Sequence, residues 1–262
     1  MMNTPDKALR DTPEASAGHP PFESAIGSVR SHLRLWLVAI VGLLADLWTK
    51  HWAFSALDPS PDPSAAMVII PHVMSFRRSL NAGALFGLGK GLTPLFIAAS
   101  FLALGFVLFL FMHSGRDRRS LHLALGLVLA GALGNLYDRV FMIADVVEYR
   151  VDGRKRTEAF ALIEERPHGI VVGTWPGREH PHLISNKYEP KVLKRGVVRD
   201  FIKMEPKFSI GERRVEIWPW VFNVADALLV VGVGLLMLNF WWERKAERAA
   251  HASSSASQSP HT

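Results

Sequence analysis

The stretch Phe222-Asn223-Val224-Ala225-Asp226 opens the last long apolar run of the chain, residues 221–242. A run of that length crosses a bilayer as a helix, since about 20 residues rising about 1.5 Å each cover the roughly 30 Å of hydrocarbon. Yet it carries an aspartate near its start, and an ionised Asp at the centre of a membrane helix costs about 2.5–3.5 kcal/mol. A carboxyl in such a place marks a functional site, provided that a partner for it exists. The partner is Asp200, in Gly196-Val197-Val198-Arg199-Asp200-Phe201-Ile202, on the segment that leads back into this helix. The pair reads as an aspartyl protease site at a membrane surface, and the remaining chain as its scaffold.

Three further apolar runs, residues 33–54, 92–112 and 121–142, have similar length. The expected fold is therefore membrane α-helical, a four-transmembrane-helix bundle. The first run meets Asp46 and Lys50, which stand four apart on one helix face and can pair. That pair is expected either to snorkel at the membrane edge or to shape the site. The second run carries no charge and reads as structural. The third holds Gly131-Ala132-Leu133-Gly134-Asn135-Leu136-Tyr137-Asp138-Arg139. Its small residues let helices approach closely, and Asn135, Asp138 and Arg139 project from one face. Asp138 and Arg139 are expected to be mainly structural, with Asn135 nearer the chemistry. Asn223, three residues before Asp226, is expected on the same helix face, where its amide donates without adding charge.

The 262 residues carry a formal net charge of +6 and no cysteine. The missing cysteine excludes a thiol nucleophile, a disulfide framework and a Cys-ligated metal. The basic excess is assigned to the flanks of membrane spans, with membrane lipid as a partner and no nucleic acid. Arg116, Arg118 and Arg119 mark the connection between the second and third spans as cytoplasmic, as Arg244, Lys245 and Arg248 do after the fourth. Both termini then lie in the cytoplasm, and the connections carrying Asn81 and Asp200 lie outside. Asp46, Asn135, Asp138, Asp200 and Asp226 converge on one depth near the outer face. Residues 1–32 and 249–262 are expected to be disordered cytoplasmic tails, flanking a peptidase domain over 33–248.

Residues 67–70 and 73–76 have strand character, as do 158–163 and 169–174 within the long connection. From 149 to 199 that connection has eleven Lys/Arg against six Asp/Glu, so it forms a basic, strand-rich element. His168, His180 and His182 lack the spacing of a metal site, and no metal is expected.

Paired carboxylates suit peptide hydrolysis because two of them about 3 Å apart share one proton. The ionised member takes a proton from a water between them, while the protonated member polarises the scissile carbonyl and later serves the leaving amine. The pair titrates as a unit, so either Asp can hold the proton at rest.

Five motifs together resemble one family, the lipoprotein signal peptidases (signal peptidase II). They are Asp46-Leu47-Trp48-Thr49-Lys50, Asn81-Ala82-Gly83-Ala84-Leu85-Phe86, the Gly131-to-Arg139 motif quoted above, Val198-Arg199-Asp200-Phe201-Ile202 and Phe222-Asn223-Val224-Ala225-Asp226. The resemblance implies a four-transmembrane-helix bundle with a small extracytoplasmic β-rich cradle, in a bacterial inner membrane. It implies cleavage of diacylglyceryl-modified prolipoproteins just before the lipidated cysteine, by catalytic aspartates at Asp200 and Asp226. Asp46, Lys50, Asn81, Gly83, Gly131, Asn135, Asp138, Arg139, Asn223 and Ala225 fall on the family's active-site region. Globomycin-type cyclic peptides are the implied inhibitors, and no cofactor is implied. Nothing in the motifs requires a second subunit, so a monomer is expected.

The chain departs from the family's pattern in several places. Asp138 and Asp200 are far apart in sequence, so an extracytoplasmic insertion is expected over residues 143–199. The connection from Asp200 to Asp226 is also longer than usual. Asp145 lies nearer the family's spacing and rivals Asp200; Asp200 is preferred because the family's Asp-Phe-Ile follows it there. Arg199 stands where an apolar residue is common, and a cation there is expected to lower the neighbouring carboxylate's pKa. Two other readings compete. A small transporter would spread its charges along several spans with repeat symmetry, and a non-catalytic membrane scaffold would not need either Asp.

Overall fold

A computed structural model of the protein describes residues 23–83, 93–210 and 213–257. Four helices are present there: α1 (Val29–Ala56), α2 (Thr93–Met112), α3 (Arg119–Phe141) and α4 (Val224–Ser257). Strands β1 (Met67–Ile70) and β2 (Met74–Asn81) lie between α1 and α2. Between α3 and α4 come β3 (Ile143–Val151), β4 (Arg154–Arg166), β5 (Gly169–Thr174), β6 (Glu179–Ser185), β7 (Lys191–Gly196), β8 (Val198–Met204), β9 (Lys207–Ile210), β10 (Arg213–Glu216) and β11 (Val221–Phe222).

The helices form a bundle with α3 at its centre, packed against the other three. Its core gathers Leu35, Ala39, Val107, Phe111, Leu125 and Leu129. The outward faces are also apolar: Leu37, Val41 and Leu44 of α1 and Val230, Val231 and Met237 of α4 are exposed. A helix apolar on its outer as well as its inner face belongs in lipid, where every backbone polar group is bonded within the helix. Among the described residues three helices, Val29–Ala56, Arg119–Phe141 and Val224–Ala250, are long and apolar enough to cross a membrane. The apolar part of α2, Ile97–Met112, is shorter. The protein is thus membrane-embedded, while the expected count of four spans is not reached by length and composition alone. Close approach of α3 and α4 depends on Gly131, where a Cβ would lie 2.4 Å from the carbonyl oxygen of Ala225.

The helix bounds differ from the sequence expectation at three points. Residues 23–32 do not form a tail: Ala25–Gly27 is a 3₁₀ turn and α1 starts at Val29. Ser28 caps it, accepting from Ser31 N at 3.3 Å, and Ser31 Oγ donates to Arg116 O at 3.2 Å, tying the entry to the α2–α3 turn. At the other end α4 continues through residues 249–257, in a stretch rich in alanine, the best helix former. Residues 1–22 and 258–262 of the two expected tails lie outside the described residues, as do Leu92 of the second run and Ala84-Leu85-Phe86. Lastly, α4 begins at Val224, because Val221 and Phe222 pair with β8 instead.

The β part exceeds a small cradle. A four-stranded antiparallel sheet runs β1-β2-β8-β11, and β9 and β10 pair as a hairpin in the lengthened connection. Residues 143–196 form a second sheet of five strands in the order β6-β5-β4-β3-β7. The strand-like stretches of the long connection thus become a meander from β3 to β6, after which β7 crosses to the opposite edge beside β3 and leads directly into β8. Trp175 fixes the inserted sheet to the bundle. Its ring meets that of Phe54, at the end of α1, edge-on at 6.1 Å between centroids, and its Nε1 donates to Ile143 O at 3.0 Å.

Candidate active site

Asp226 occupies the first turn of α4, and Asn223 immediately precedes the helix. The two bond reciprocally: Asp226 N donates to Asn223 Oδ1 at 3.0 Å, and Asn223 N to Asp226 Oδ2 at 3.3 Å. This is a capping box with an Asn cap and an Asp in its third position. It corrects the expectation that Asn223 lies on the helix face. As the cap, its amide is free to turn away from α4 toward β8. The positive end of the α4 dipole meanwhile faces the carboxylates.

Asp200 lies in β8 opposite Ser79 of β2 and is 1% exposed. Asn223 Nδ2 donates to its Oδ1 at 2.6 Å, and Asn81 Nδ2, from the end of β2, to its Oδ2 at 3.1 Å. On the other side, Asn135 Nδ2 from α3 donates to Asp226 Oδ1 at 2.8 Å. Asn223 Nδ2 also reaches Asn135 Oδ1 at 3.2 Å. Asp200, Asn223, Asn135 and Asp226 therefore form one continuous hydrogen-bonded chain across β8, α4 and α3. Burial first, and the charge of Asp226 second, hold the Asp200 carboxyl well above the usual carboxylate range; Lys50 and the two amides act against this.

Behind the chain lies a charged layer. Lys50 is fully buried, with Nζ 2.7 Å from Asp46 Oδ2, 3.2 Å from Asn135 Oδ1 and 3.4 Å from Asp138 Oδ2. Asp46 Oδ1 accepts from Ala225 N at 2.8 Å, so α1 holds one of the free N–H groups at the start of α4. The layer needs space at Gly134, where a Cβ would sit 2.4 Å from Asp46 Oδ2. Arg139 donates to Gly83 O at 3.2 Å, and Gly83 N donates to Asn81 Oδ1 at 2.9 Å, which orients the Asn81 amide.

Arg199 overturns its expectation. Its Nη2 donates to Asp138 Oδ1 at 2.7 Å and its backbone N to Asp138 Oδ2 at 2.9 Å. Adjacent strand residues face opposite ways, so the guanidinium neutralises the α3 carboxyl, and the Asp200 shift runs upward. Asp145 lies apart from this network: in β3 its Oδ2 accepts from Leu162 N at 2.8 Å, beside an irregularity in the β4 pairing.

The structure thus brings Asp46, Lys50, Asn81, Gly83, Asn135, Asp138, Arg139, Asp200, Asn223, Ala225 and Asp226 into one connected set, with Gly131 packed on Ala225. Gly134 belongs with them although the sequence reading passed it over; its spacing of three from Gly131, on one helix face, was the available signal. Four acids, Asp46, Asp138, Asp200 and Asp226, face three cations, Lys50, Arg139 and Arg199. Burying unbalanced charge is costly, and the cluster is neutral when one acid carries a proton. A groove of about 450 Å³ opens onto Asp200, lined by Ser79 and Asn81 of β2, by Thr157–Phe160 of the inserted β4 and by Trp220. No sequence signal pointed to the β4 residues.

The family model of signal peptidase (SPase) II matches residues 38–242. A lipoprotein signal peptidase of Desulfitobacterium hafniense is 30% identical over 180 residues, 69% of this chain and 77% of that one. Another, of Streptomyces griseus, is 34% identical over 178 residues, covering 66% and 85%. A third, of Clostridium novyi, is 33% identical over 138 residues, covering 53% and 90%. In fold, the chain is similar to a bacterial membrane enzyme solved by the in meso method, with a TM-score of 0.51 at 20% identity, covering 86% of this chain and 94% of that one.

Proposed function

This chain belongs to the signal peptidase II family of aspartic peptidases, and on that premise we propose that it removes signal peptides from diacylglyceryl-modified prolipoproteins, using Asp200 and Asp226 as its catalytic pair. The observation that carries this reading is the Asn223–Asn135 bridge, which binds both carboxyls into one buried chain.

The chemistry follows from the charge balance. One proton is shared by Asp200 and Asp226, and a water lies between them. The ionised carboxylate takes a proton from the water as its oxygen attacks the scissile carbonyl. The carboxylic acid donates to that carbonyl oxygen as negative charge develops there. On collapse the C–N bond breaks and the nitrogen of the lipidated cysteine leaves as an amine, protonated from the pair. One water is consumed and the shared proton is restored. Asn81, Asn135 and Asn223 hold the carboxyls through neutral donors, which keeps their proton affinities from collapsing as a cationic partner would.

The same reading sets the topology. All four helices span the inner membrane, with both termini in the cytoplasm and the site near the extracytoplasmic face. The arginine-rich α2–α3 turn and the basic end of α4 lie together, since Arg118 pairs with Glu243, and positive flanks favour the cytoplasm. The chain works as a monomer, and globomycin-type cyclic peptides occupy the groove at Asp200. A transporter reading is less well supported, because the charged groups gather at one end of the bundle.

The test is to incubate the purified chain in detergent with a lipidated prolipoprotein and to identify the products by mass. A single cut before the lipidated cysteine, absent for Asp200→Asn and Asp226→Asn, is the expected result. A cut elsewhere, or one insensitive to both substitutions, would overturn the reading.

A further inference from the structure

The inserted sheet and β2 together place a guanidinium, that of Arg78, in the groove beside Asp200. Between Phe76 and Ser79 the pairing of β2 with β8 slips by one residue, a bulge centred on Arg77 and Arg78. Bulges of this kind re-aim side chains next to active sites. Here the Arg78 side chain lines the groove that reaches Asp200, and also a smaller apolar annex of about 130 Å³ walled by Phe54, Phe160 and Trp175. Its guanidinium stands over the Phe54 ring at 5.9 Å, a cation–π contact that fixes it. Arg78 Nε is buried without a hydrogen-bond partner. Glu179 and Asp58 act on it at longer range, and among the described residues it has no ion-pair partner. A partly desolvated guanidinium that lines a groove without a carboxylate partner is suited to a planar carboxylate.

We infer that this groove receives the polypeptide that follows the cleavage site, and that Arg78 selects precursors with one acidic side chain at a fixed position there. The inference rests on the proposed peptidase activity. An apolar signal peptide belongs among the helices, whereas this groove is polar and lies outside them, between β2, the inserted β4 and Trp220. Trp175 joins this wall to α1 through its ring contact with Phe54. Asp62 and Glu158 also line the groove, so the preference is for one position, not for an acidic segment in general.

The experiment places a single Asp, or its isostere Asn, at each of the first six positions after the lipidated cysteine of a model precursor. For the wild-type chain, kcat/KM should rise about tenfold for Asp over Asn at one position, the scale of a charge-assisted hydrogen bond. The gain should appear in KM with kcat unchanged. It should vanish in Arg78→Gln, persist in part in Arg78→Lys, and pass to a Lys-bearing precursor in Arg78→Glu. No positional preference in the wild type, a preference that survives Arg78→Gln, or an equal loss for Asp and Asn precursors would overturn the assignment. Equilibrium binding of the same peptides is measured in parallel. Arg78-dependent binding without cleavage would sink the peptidase reading alone.

Discussion

Asn223 Nδ2 lies 2.6 Å from Asp200 Oδ1 and 3.2 Å from Asn135 Oδ1, so the residue that caps α4 also ties β8 to α3. One side chain thereby does three things: it caps a membrane helix, holds one carboxyl and orients the amide that holds the other. The first prediction follows. Asn223→Ala leaves buried acceptors unpaired, at about 1–3 kcal/mol each, and removes a cap of about 1 kcal/mol. Single-turnover cleavage should slow about 10–100-fold, and thermal unfolding in detergent should show a lowered midpoint. A variant at wild-type rate would show that the bridge is incidental.

The pair between Arg199 and Asp138 joins β8 to α3 in a buried setting. Breaking such a pair strands a charge and costs about 3–5 kcal/mol, whereas removing both partners costs far less. Arg199→Met should therefore destabilise strongly, and adding Asp138→Leu should recover part of the loss. The unfolding midpoints of both variants in detergent decide this; a neutral Arg199→Met would mean that Lys50, 3.4 Å from Asp138 Oδ2, suffices as its counter-charge.

Gly134 leaves no room for a methyl group, because Asp46 Oδ2 and the Ala225 side chain close over it. Gly134→Ala should displace Asp46 and release Ala225 N, loosening the start of α4 while leaving the bundle folded. Cleavage is expected to fall about 100-fold, a loss that misplacement by about 1 Å can cause. Gly105, with nothing within 4 Å of a built Cβ, is the control; Gly105→Ala should cleave at the wild-type rate.

Asp200 also sets a dependence of stability on pH. Unfolded, its carboxyl titrates near 3.8, while burial and Asp226 raise it in the native state. Between the two values the native state binds the additional proton, so stability falls as pH rises. This contribution is whole below about 3.8 and is lost as pH passes through the native value. The slope is at most about 1.4 kcal/mol per pH unit for one proton. Denaturant titration across pH should show it in the wild type and a shallower slope in Asp200→Asn. Equal slopes would place the proton elsewhere.

How much of this could be read in the sequence depended on the kind of signal. Long apolar runs interrupted by Asp46, Asn135, Asp138 and Asp226 stand out because polar groups in a membrane need partners, so the helices and their polar ends were legible. The destination of Arg199 was not: a strand sends neighbouring side chains to opposite sides, and only the packing of α3 on β8 shows what waits there. Asp145 against Asp200 was likewise undecided by spacing, and separates once β3 is seen to bind Asp145 to Leu162 N. The β4 residues at the groove were hidden because their closeness to Asp200 depends on how the inserted sheet docks through Trp175. Helix continuation to Ser257 was masked by the serines interspersed there with alanine, which resemble a tail.

The most direct measurement compares single-turnover cleavage by the wild type, Asp200→Asn, Asp226→Asn and the double variant, with Asp145→Ala as control. Groups that act as one unit lose nearly everything on the first substitution. Both single variants and the double should therefore fall by about the same factor, on the order of 10³ or more, while Asp145→Ala cleaves normally. Losses that multiply from single to double, or substantial turnover in either single variant, would contradict a shared-proton pair.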